Sequence, residues 1–410
     1  MDDCFKKLKI SSLEKELFTT RRITSSLISK LEFEDLVVQT ENYVSPTKWH
    51  LAHTNWFFEE FILKKRMRNY SIFNKDFNYI FNSYYNSIGD FNPKNKRGFL
   101  NRPLTSEILE YRKYVDEKMS ELLEINRNDQ ELEFLIQLGI NHEQQHQELI
   151  LMDIKNVFFN NPLKPSYNSM NSLKNKKNTF TEYSLNRTKS VNIGYSGSKF
   201  CYDNELPCFK ASLEPFSLST LVTNGEWKNF IEEEGYQNPK YWLSDGWDFV
   251  KKYNINKPMY WIDENHYFTL NGVKEIDPEL PVSHISFYEA DAFARFKKKK
   301  LPSEYEIEFA LKENKKEGNF LESGIYQENY DQSIFGNLWV WTNSYYSPYK
   351  GYEPFNNQLS EYNSKFMCNQ FVLKGGSFST PKNHVRASYR NFYYPSDRWQ
   401  FSGIRLVSHN

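Results

Sequence analysis

The sequence predicts two units of different class, an α-helical bundle over residues 1–162 and a mixed α+β unit over residues 180–410, joined by a linker at 163–179. In the first part, apolar residues recur at helical spacing, as between Leu132 and Met152, and Gly and Pro are few. The linker segment is polar and has no periodic apolar stripe. After it, Gly, Asn, Asp and Trp become frequent and apolar runs shorten, which indicates a loop-rich α+β unit.

Amphipathic segments predict the individual helices. Those of the first part cover 12–38, 46–66, 104–125 and the stretch from Leu132 to Met152, with a long irregular insertion near 67–103. Four helices joined in this way predict a four-helix bundle. Those of the second part cover 286–296 and 303–312.

Composition and charge exclude several classes of protein. Lys and Arg together number 52, as do Asp and Glu, so the formal net charge is zero and nothing favours nucleic acid or an anionic membrane as a partner. The sequence has no run of about 18 apolar residues that would predict a spanning helix. The N-terminal residues lack the apolar region of a secretory signal. We therefore expect a cytoplasmic protein, with a monomer as the default state.

The cysteines and aromatic residues support an intracellular globular protein. Cys4, Cys201, Cys208 and Cys368 form no C-x-x-C pair, so we expect reduced thiols and no disulfide framework. Aromatic residues make up 17% of the chain. Core packing explains most of them, and an aromatic pocket for a cationic ligand is the alternative.

The strongest local signal is a pair of histidines on a predicted helix. His142 and His146 lie four residues apart, which places both rings on one helix face about one turn apart. Such a pair either binds a metal or is a satisfied pair on a core helix, and spacing does not decide between them.

A second helix carries two more histidines, His50 and His53. Bundles build metal sites from side chains on facing helices, so one of these rings is expected to join the pair on the other helix. Three neutral imidazoles without a carboxylate suit Fe(II), Zn(II) or Cu. On an octahedral metal they leave positions open for substrates and O2.

The segment from His142 to His146 also matches H-E-x-x-H, the zinc metallopeptidase pattern, with Glu143 as the general base. The pattern is short and produces false matches. Metzincins have a third His six residues after the second, and Met152 stands there in this chain.

Beyond these spacings, two segments of the first part resemble a known family. The sequences SPTKWHLAH at 45–53 and HEQQHQEL at 142–149 resemble the DinB-like helical bundle of the ergothioneine-type sulfoxide synthases. Between them, FNSYYN at 81–86 and the segment from Arg97 to Pro103 are similar to two further signatures of that family.

The second part resembles the formylglycine-generating-enzyme-like domain, a variant of the C-type-lectin fold. The matching stretches are 203–205, 222–226, 242–247, 281–286, 301–304, 336–342, 375–378, 390–393 and 401–406. Val340 stands where the family motif usually has Glu, which puts local structure there in doubt. The copper-binding cysteine pair of true formylglycine-generating enzymes has no counterpart, which argues against formylglycine synthesis.

The resemblance implies oxidative C–S bond formation with Fe(II) and O2. The acceptor would be hercynine, the donor cysteine or γ-glutamylcysteine, and the product a sulfoxide with sulfur on the imidazole C2. The family's Leu-Ala-His motif puts the third metal ligand at His53, beside His142 and His146, and leaves His50 as a structural or outer residue.

The resemblance also assigns roles around the metal. Tyr84 or Tyr85 would donate a proton to a reduced oxygen species. Arg97 and Arg102 would hold the carboxylate of the sulfur donor, because the guanidinium fork matches a carboxylate. Both pairs have a structural alternative, aromatic packing for the tyrosines and surface ion pairing for the arginines.

Three further residues would bind the acceptor. Gln145 lies between the two metal-binding His of one helix, and Asn391 and Phe392 occupy the family's Asn-Trp positions. Phe in place of Trp weakens the contact with a trimethylammonium group, so the identity of the acceptor is less secure.

Other activities fit the same pattern of residues. A selenoneine synthase would take a selenosugar donor, and an ovothiol-type enzyme would act on plain histidine. A zinc metallopeptidase and a non-catalytic ligand-binding protein stand outside this class, and the intact set of three His argues against the latter.

Overall fold

A computed structural model describes residues 2–125, 129–168 and 182–409. The chain divides into two compact units, Met1–Leu163 and Lys164–Asn410. Most of the predicted linker, residues 169–179, lies outside the described residues. Just before it, the amides of Tyr167 and Asn168 both donate to the carbonyl of Leu270, so this stretch belongs with the second unit.

The regular secondary structure described in the first unit is helical. Its helices are α1 (Asp2–Ile28), α2 (Thr47–Phe58), α3 (Lys64–Arg66), α4 (Phe77–Phe81), α5 (Thr105–Ile125) and α6 (Gln130–Asn160). A π-helical turn, Glu59–Leu63, joins α2 to α3 without a break. Short 3₁₀ turns lie at Asp35–Val37 and Lys94–Phe99.

Local chemistry explains most of these boundaries. Helix α2 begins directly after Pro46, whose extended backbone suits the residue before a helix. Helix α6 begins after Asp129, whose carboxylate accepts from the amides of Glu131 and Leu132. The predicted first helix was too long at its C-terminal end. It stops at Ile28, after which the chain turns and the Asp35 carboxylate accepts from the Glu32 amide.

The four longest helices pack against one another in pairs. Helix α6 contacts α1 and α2, and α5 also contacts both of these helices. The approach of α2 to α6 depends on Gly139, because a Cβ atom there would lie 2.5 Å from the Phe58 ring. Glycine in a helix interior costs about 1 kcal/mol relative to Ala, so close packing explains its presence.

The second unit mixes short strands with helices. Its strands are β1 (Tyr183–Leu185), β2 (Lys189–Ile193), β3 (Phe209–Leu213), β4 (Phe216–Leu221), β5 (His266–Thr269), β6 (Gly272–Glu275), β7 (Trp339–Tyr345), β8 (Phe371–Lys374), β9 (Asn391–Tyr393), β10 (Ser402–Gly403) and β11 (Arg405–His409). They form sheets in the orders β1-β4-β11 and β10-β7-β8-β9 and two hairpins, β2-β3 and β5-β6.

The helices of this unit are α7 (Asn224–Glu232), α8 (Ser244–Tyr253), α9 (Phe287–Phe296) and α10 (Glu304–Glu313). Both predicted helices are present as α9 and α10, and each begins with a reciprocal cap, Ser286 with Glu289 and Ser303 with Glu306. Val340 is buried on β7, where it pairs with Lys374 and Gly403, so the strand forms without the family's Glu.

Two findings concern the predicted class of protein. Cys201, Cys208 and Cys368 are free thiols, and burial raises the pKa of Cys201 to about 12. Among the described helices, none has both the length and the apolar character that crossing a membrane requires.

Candidate metal centre

Two neighbouring helices carry the histidines of the predicted site. His50 and His53 lie on α2, and His142 and His146 lie on α6. The structure brings together His53, His142 and His146, whose candidate ligand atoms all lie within 4.8 Å of one another. All three rings are buried, with exposed fractions of 1%, 3% and 7%. As the four-residue spacing predicts, the rings of His142 and His146 lie on the same face of α6, with ring centroids 4.6 Å apart.

The hydrogen bond of His53 determines which of its nitrogens is available. Its Nδ1 lies 2.6 Å from the carbonyl oxygen of Phe81, which can only accept, so Nδ1 carries the proton. The lone pair is then on Nε2, which lies 3.1 Å from Nε2 of His142. Two nitrogens that bind one metal at about 2.1 Å and at right angles lie about 3 Å apart, so this pair fits a shared ion.

Electrostatics keep the three rings in the form that binds metal. Burial lowers the pKa of His142 to about 3. Burial, and then the proximity of His142, lower the pKa of His53 and of His146 well below the usual range. Neutral imidazoles are the ligand form of histidine, so the donor set fits a divalent transition metal.

His50 does not belong to the cluster. Its Nδ1 lies 2.8 Å from Nδ1 of His146, and its Nε2 lies 2.9 Å from Oδ2 of Asp153. Of the two histidines on α2, His53 is therefore the one that the structure groups with His142 and His146.

Aromatic rings enclose the cluster. The indole of Trp49 stacks on His53 with ring centroids 4.6 Å apart, and Phe57 stacks on His142 at 4.3 Å. The indole of Trp56 also stacks on His53, with ring centroids 5.5 Å apart. These rings restrict the orientation of the imidazoles and limit the access of water to them.

Glu143 is held by buried charges. Its Oε2 accepts from Arg21 at 2.9 Å, and its Oε1 accepts from Arg112 at 2.5 Å and from Thr24 at 2.7 Å. Burial opposes ionisation, but the charges of Arg112 and Arg21 outweigh it and lower the pKa of Glu143 to about 2. A carboxylate held in this way is a poor general base, so the structure argues against the metallopeptidase hypothesis.

The model of the family described as "Sulfatase-modifying factor enzyme 1-like domain" matches residues 174–335 and 324–410, more than half of the chain. The chain belongs to this sulfatase-modifying factor family. The matched residues account for most of the second unit.

Similar proteins confirm the resemblance to the ergothioneine-type sulfoxide synthases. A hercynine oxygenase of Mycolicibacterium thermoresistibile is 23% identical over 97% of this chain and 94% of its own length. That of Mycobacterium tuberculosis is 25% identical over 67% of this chain and 71% of its length. Ergothioneine biosynthesis protein 1 of Schizosaccharomyces pombe is 26% identical over 51% of this chain and 27% of its length. The finer assignments, a DinB-like bundle and a C-type-lectin-like fold, stay predictions.

In this member of the sulfatase-modifying factor family, the two tyrosines predicted as proton donors stack on each other. The ring centroids of Tyr84 and Tyr85 are 4.5 Å apart, and their hydroxyl oxygens are 3.4 Å apart. Tyr85 is buried and lies 5.8 Å from Trp56, the ring that stacks on His53, whereas Tyr84 is half-buried. One aromatic ring thus separates Tyr85 from the cluster.

The two predicted arginines have different surroundings. Arg97 is buried, its guanidinium carbon lies 3.3 Å from the Trp49 ring centroid, and its Nη1 donates to Ser45 Oγ at 2.9 Å. Burial, opposed by Asp153, lowers its pKa to about 9. Arg102 is exposed, and its Nη1 donates to the carbonyl of Asn101. Only Arg97 is thus linked through Trp49 to the histidine cluster.

The three predicted acceptor-binding residues lie on different units. Gln145 is half-buried on α6 between His142 and His146. In the second unit, Asn391 and Phe392 begin β9, and Phe392 stacks on Tyr346 at 4.1 Å. Their roles in binding stay predictions.

Sequence reasoning missed several residues around the cluster. Arg21 and Arg112 are distant in sequence from Glu143 and carried no local signal. Asp153 did carry one, because it lies seven residues after His146, two helical turns along the same face of α6.

Proposed function

We propose that this protein is an iron(II)- and O2-dependent sulfoxide synthase of the hercynine oxygenase type. It would join the sulfur of cysteine or γ-glutamylcysteine to C2 of the hercynine imidazole. The observation that carries the proposal is the buried cluster of His53, His142 and His146 in a chain with full-length similarity to a hercynine oxygenase.

The donor set is one that iron can occupy. Three neutral nitrogens without a carboxylate leave the coordination sphere open, and imidazole suits Fe as well as Zn and Cu. When bound, iron(II) would supply the activation of O2 and the alignment of both substrates at one centre.

The overall reaction balances with O2 as the oxidant. The donor thiol loses its hydrogen, and the acceptor imidazole loses the hydrogen at C2. One oxygen atom of O2 becomes the sulfoxide oxygen, and the other leaves as water with both hydrogens. A proton donor beside the reacting oxygen would favour this outcome over simple oxidation of the thiol.

The chain's own residues would bind the substrates and supply this proton. Arg97, whose guanidinium carbon lies over the Trp49 ring, would attract the carboxylate of the sulfur donor. Gln145, Asn391 and Phe392 would bind the acceptor, and Arg102 would add a second positive charge. The hydroxyl of Tyr84 or Tyr85 would donate the proton.

Reconstitution tests this proposal directly. The protein is loaded with Fe(II) under anaerobic conditions. It is then mixed with one acceptor, hercynine or histidine, and one donor, which is cysteine, γ-glutamylcysteine or a selenosugar, before O2 is admitted. Mass spectrometry is expected to detect the C–S sulfoxide of hercynine. A selenosugar product would identify a selenoneine synthase, and reaction of histidine would identify the ovothiol type. Iron-loaded protein that yields no C–S or C–Se product with any pair would refute the proposal.

Substitution of the tyrosines is expected to change the product. One of the variants Tyr84→Phe and Tyr85→Phe removes the hydroxyl that supplies the proton. In that variant the ratio of sulfoxide to sulfinic acid should fall by about 10²-fold, which is the lower end of the range for general-acid catalysis. Liquid chromatography of both products measures the ratio. Tyr79→Phe, at an exposed tyrosine of α4, is the control and should leave it unchanged. A constant ratio in both single variants and in the double variant would exclude these hydroxyls as the proton source.

A further inference from the structure

A buried chain of three polar side chains leads away from the metal centre. Asp153 Oδ2 lies 2.9 Å from His50 Nε2, and His50 Nδ1 lies 2.8 Å from His146 Nδ1. All three side chains are less than a tenth exposed, at 2%, 3% and 7%. The backbone amide of Ser45 also donates to Asp153 Oδ2 at 2.8 Å, which fixes the carboxylate at the end of the chain.

The positions of the protons follow from donor and acceptor chemistry. An ionised carboxylate only accepts, so His50 Nε2 carries a proton and donates it to Asp153. A neutral imidazole carries one proton, so a neutral His50 that donates from Nε2 has its Nδ1 as an acceptor. The donor in the contact between the two Nδ1 atoms must therefore be His146.

We propose that His50 and Asp153 are positioning residues that hold His146 as its Nδ1–H tautomer, so that His146 offers Nε2 to the metal. The inference rests on the proposed metal centre and adds two residues to it. Partners of this kind fix the ring orientation of a metal-binding histidine and raise its basicity. Here a second imidazole stands between the carboxylate and the ligand.

The arrangement makes the ligands unequal. His53 donates its Nδ1–H to a neutral carbonyl, that of Phe81, whereas His146 donates to an imidazole that is backed by a carboxylate. His146 is therefore the stronger electron donor of these two ligands.

Substitution of His50 tests this assignment. His50→Leu removes the acceptor at similar volume, and His50→Asn keeps an acceptor, because Asn Oδ1 stands near the position of Nδ1. We expect His50→Leu to weaken Co(II) binding by about 10–100-fold in competition with a chelator. His50→Asn should recover most of this loss, and the visible spectrum of bound Co(II) should change in the Leu variant only.

A control separates metal binding from stability. Tyr111→Phe removes a buried hydrogen bond to Glu59 in the same unit and should lower the melting temperature without changing Co(II) affinity. If His50→Leu binds Co(II) as tightly as the wild type, the proposal is wrong. It is also wrong if His50→Asn loses as much affinity as His50→Leu while both metal-free variants melt like the wild type.

A second measurement needs no variant. Nitrogen-15 NMR of histidine-labelled protein, without metal and with Zn(II), distinguishes the two tautomers of His146. A proton on Nδ1 is expected in both states, and a proton on Nε2 in the metal-free protein would overturn the proposal even if His50→Leu does not fold. Wild-type protein that binds neither Co(II) nor Zn(II) would instead refute the metal centre, and the metal-free spectrum would still test the tautomer.

Discussion

His142→Ala is expected to abolish stoichiometric metal binding and, with it, the proposed oxygenase activity. The change removes one of three clustered nitrogens, and among the described residues no other His, Cys, Asp or Glu side chain belongs to this cluster. The loss of affinity should exceed the ~10–100-fold that is typical when only an outer partner of a ligand is removed. Metal analysis after anaerobic loading and dialysis measures the stoichiometry.

His53→Ala should behave in the same way, because its Nε2 faces that of His142. His266→Ala is the matched control, since this half-exposed ring lies in the second unit and contacts Asp263. If His53→Ala keeps its full iron content and His50→Ala loses it, the third ligand is His50. This result would contradict the site described above.

Glu143→Gln is expected to lower the free energy of unfolding of the first unit by about 3–5 kcal/mol, because it leaves the buried charge of Arg112 without its ion-pair partner and leaves Arg21 with Asp116 alone. Chemical denaturation of the metal-free protein, followed by the far-ultraviolet circular dichroism of its helices, measures the change. Glu121→Gln in the exposed pair with Lys118 is the control, with an expected change of about 0–1 kcal/mol.

The same carboxylate predicts a dependence on pH. Its pKa is about 2 in the folded state against an ordinary 4.5, so its contribution is complete above about pH 4.5 and is lost as the pH falls towards 2. The gap corresponds to about 3 kcal/mol. Glu143→Gln should therefore remove part of the acid sensitivity of the first unit. Equal acid sensitivity in wild type and variant would contradict this account.

This variant also separates the two readings of H-E-x-x-H. If Glu143 were a peptidase base, its substitution would abolish peptide hydrolysis and leave stability nearly unchanged. If Glu143 instead forms the buried ion pairs with Arg21 and Arg112, its substitution lowers stability. Metal binding by the histidine cluster then weakens only if the substitution displaces α6.

Local patterns predicted the long helices after the first one and the shared helix face of His142 and His146, because each depends on residues close in sequence. No strand was predicted. The spacing of His142 and His146 and the recurrence of apolar residues along α6 are both signals within a few residues. The end of α1 at Ile28 was missed because amphipathic character continues beyond the point where the chain turns.

Tertiary partners could not be read in this way. Nothing near Arg21 indicates that it meets Glu143, since the contact exists only after α1 has packed on α6. The choice between His50 and His53 likewise depends on contacts between α2 and α6. Nε2 of His53 lies beside Nε2 of His142, whereas Nε2 of His50 lies beside the carboxylate of Asp153. From spacing, both remained possible ligands.

Gly139 affects the distance between the two helices that carry the candidate metal ligands. It lies one turn before His142, and the missing methyl group is what lets Phe58, and with it the helix of His53, come close. An alanine there would widen the gap between the two helices and stretch the pair of nitrogens now 3.1 Å apart. The size of the ion that the proposed site prefers would thus depend on Gly139, a residue that is not among its ligands.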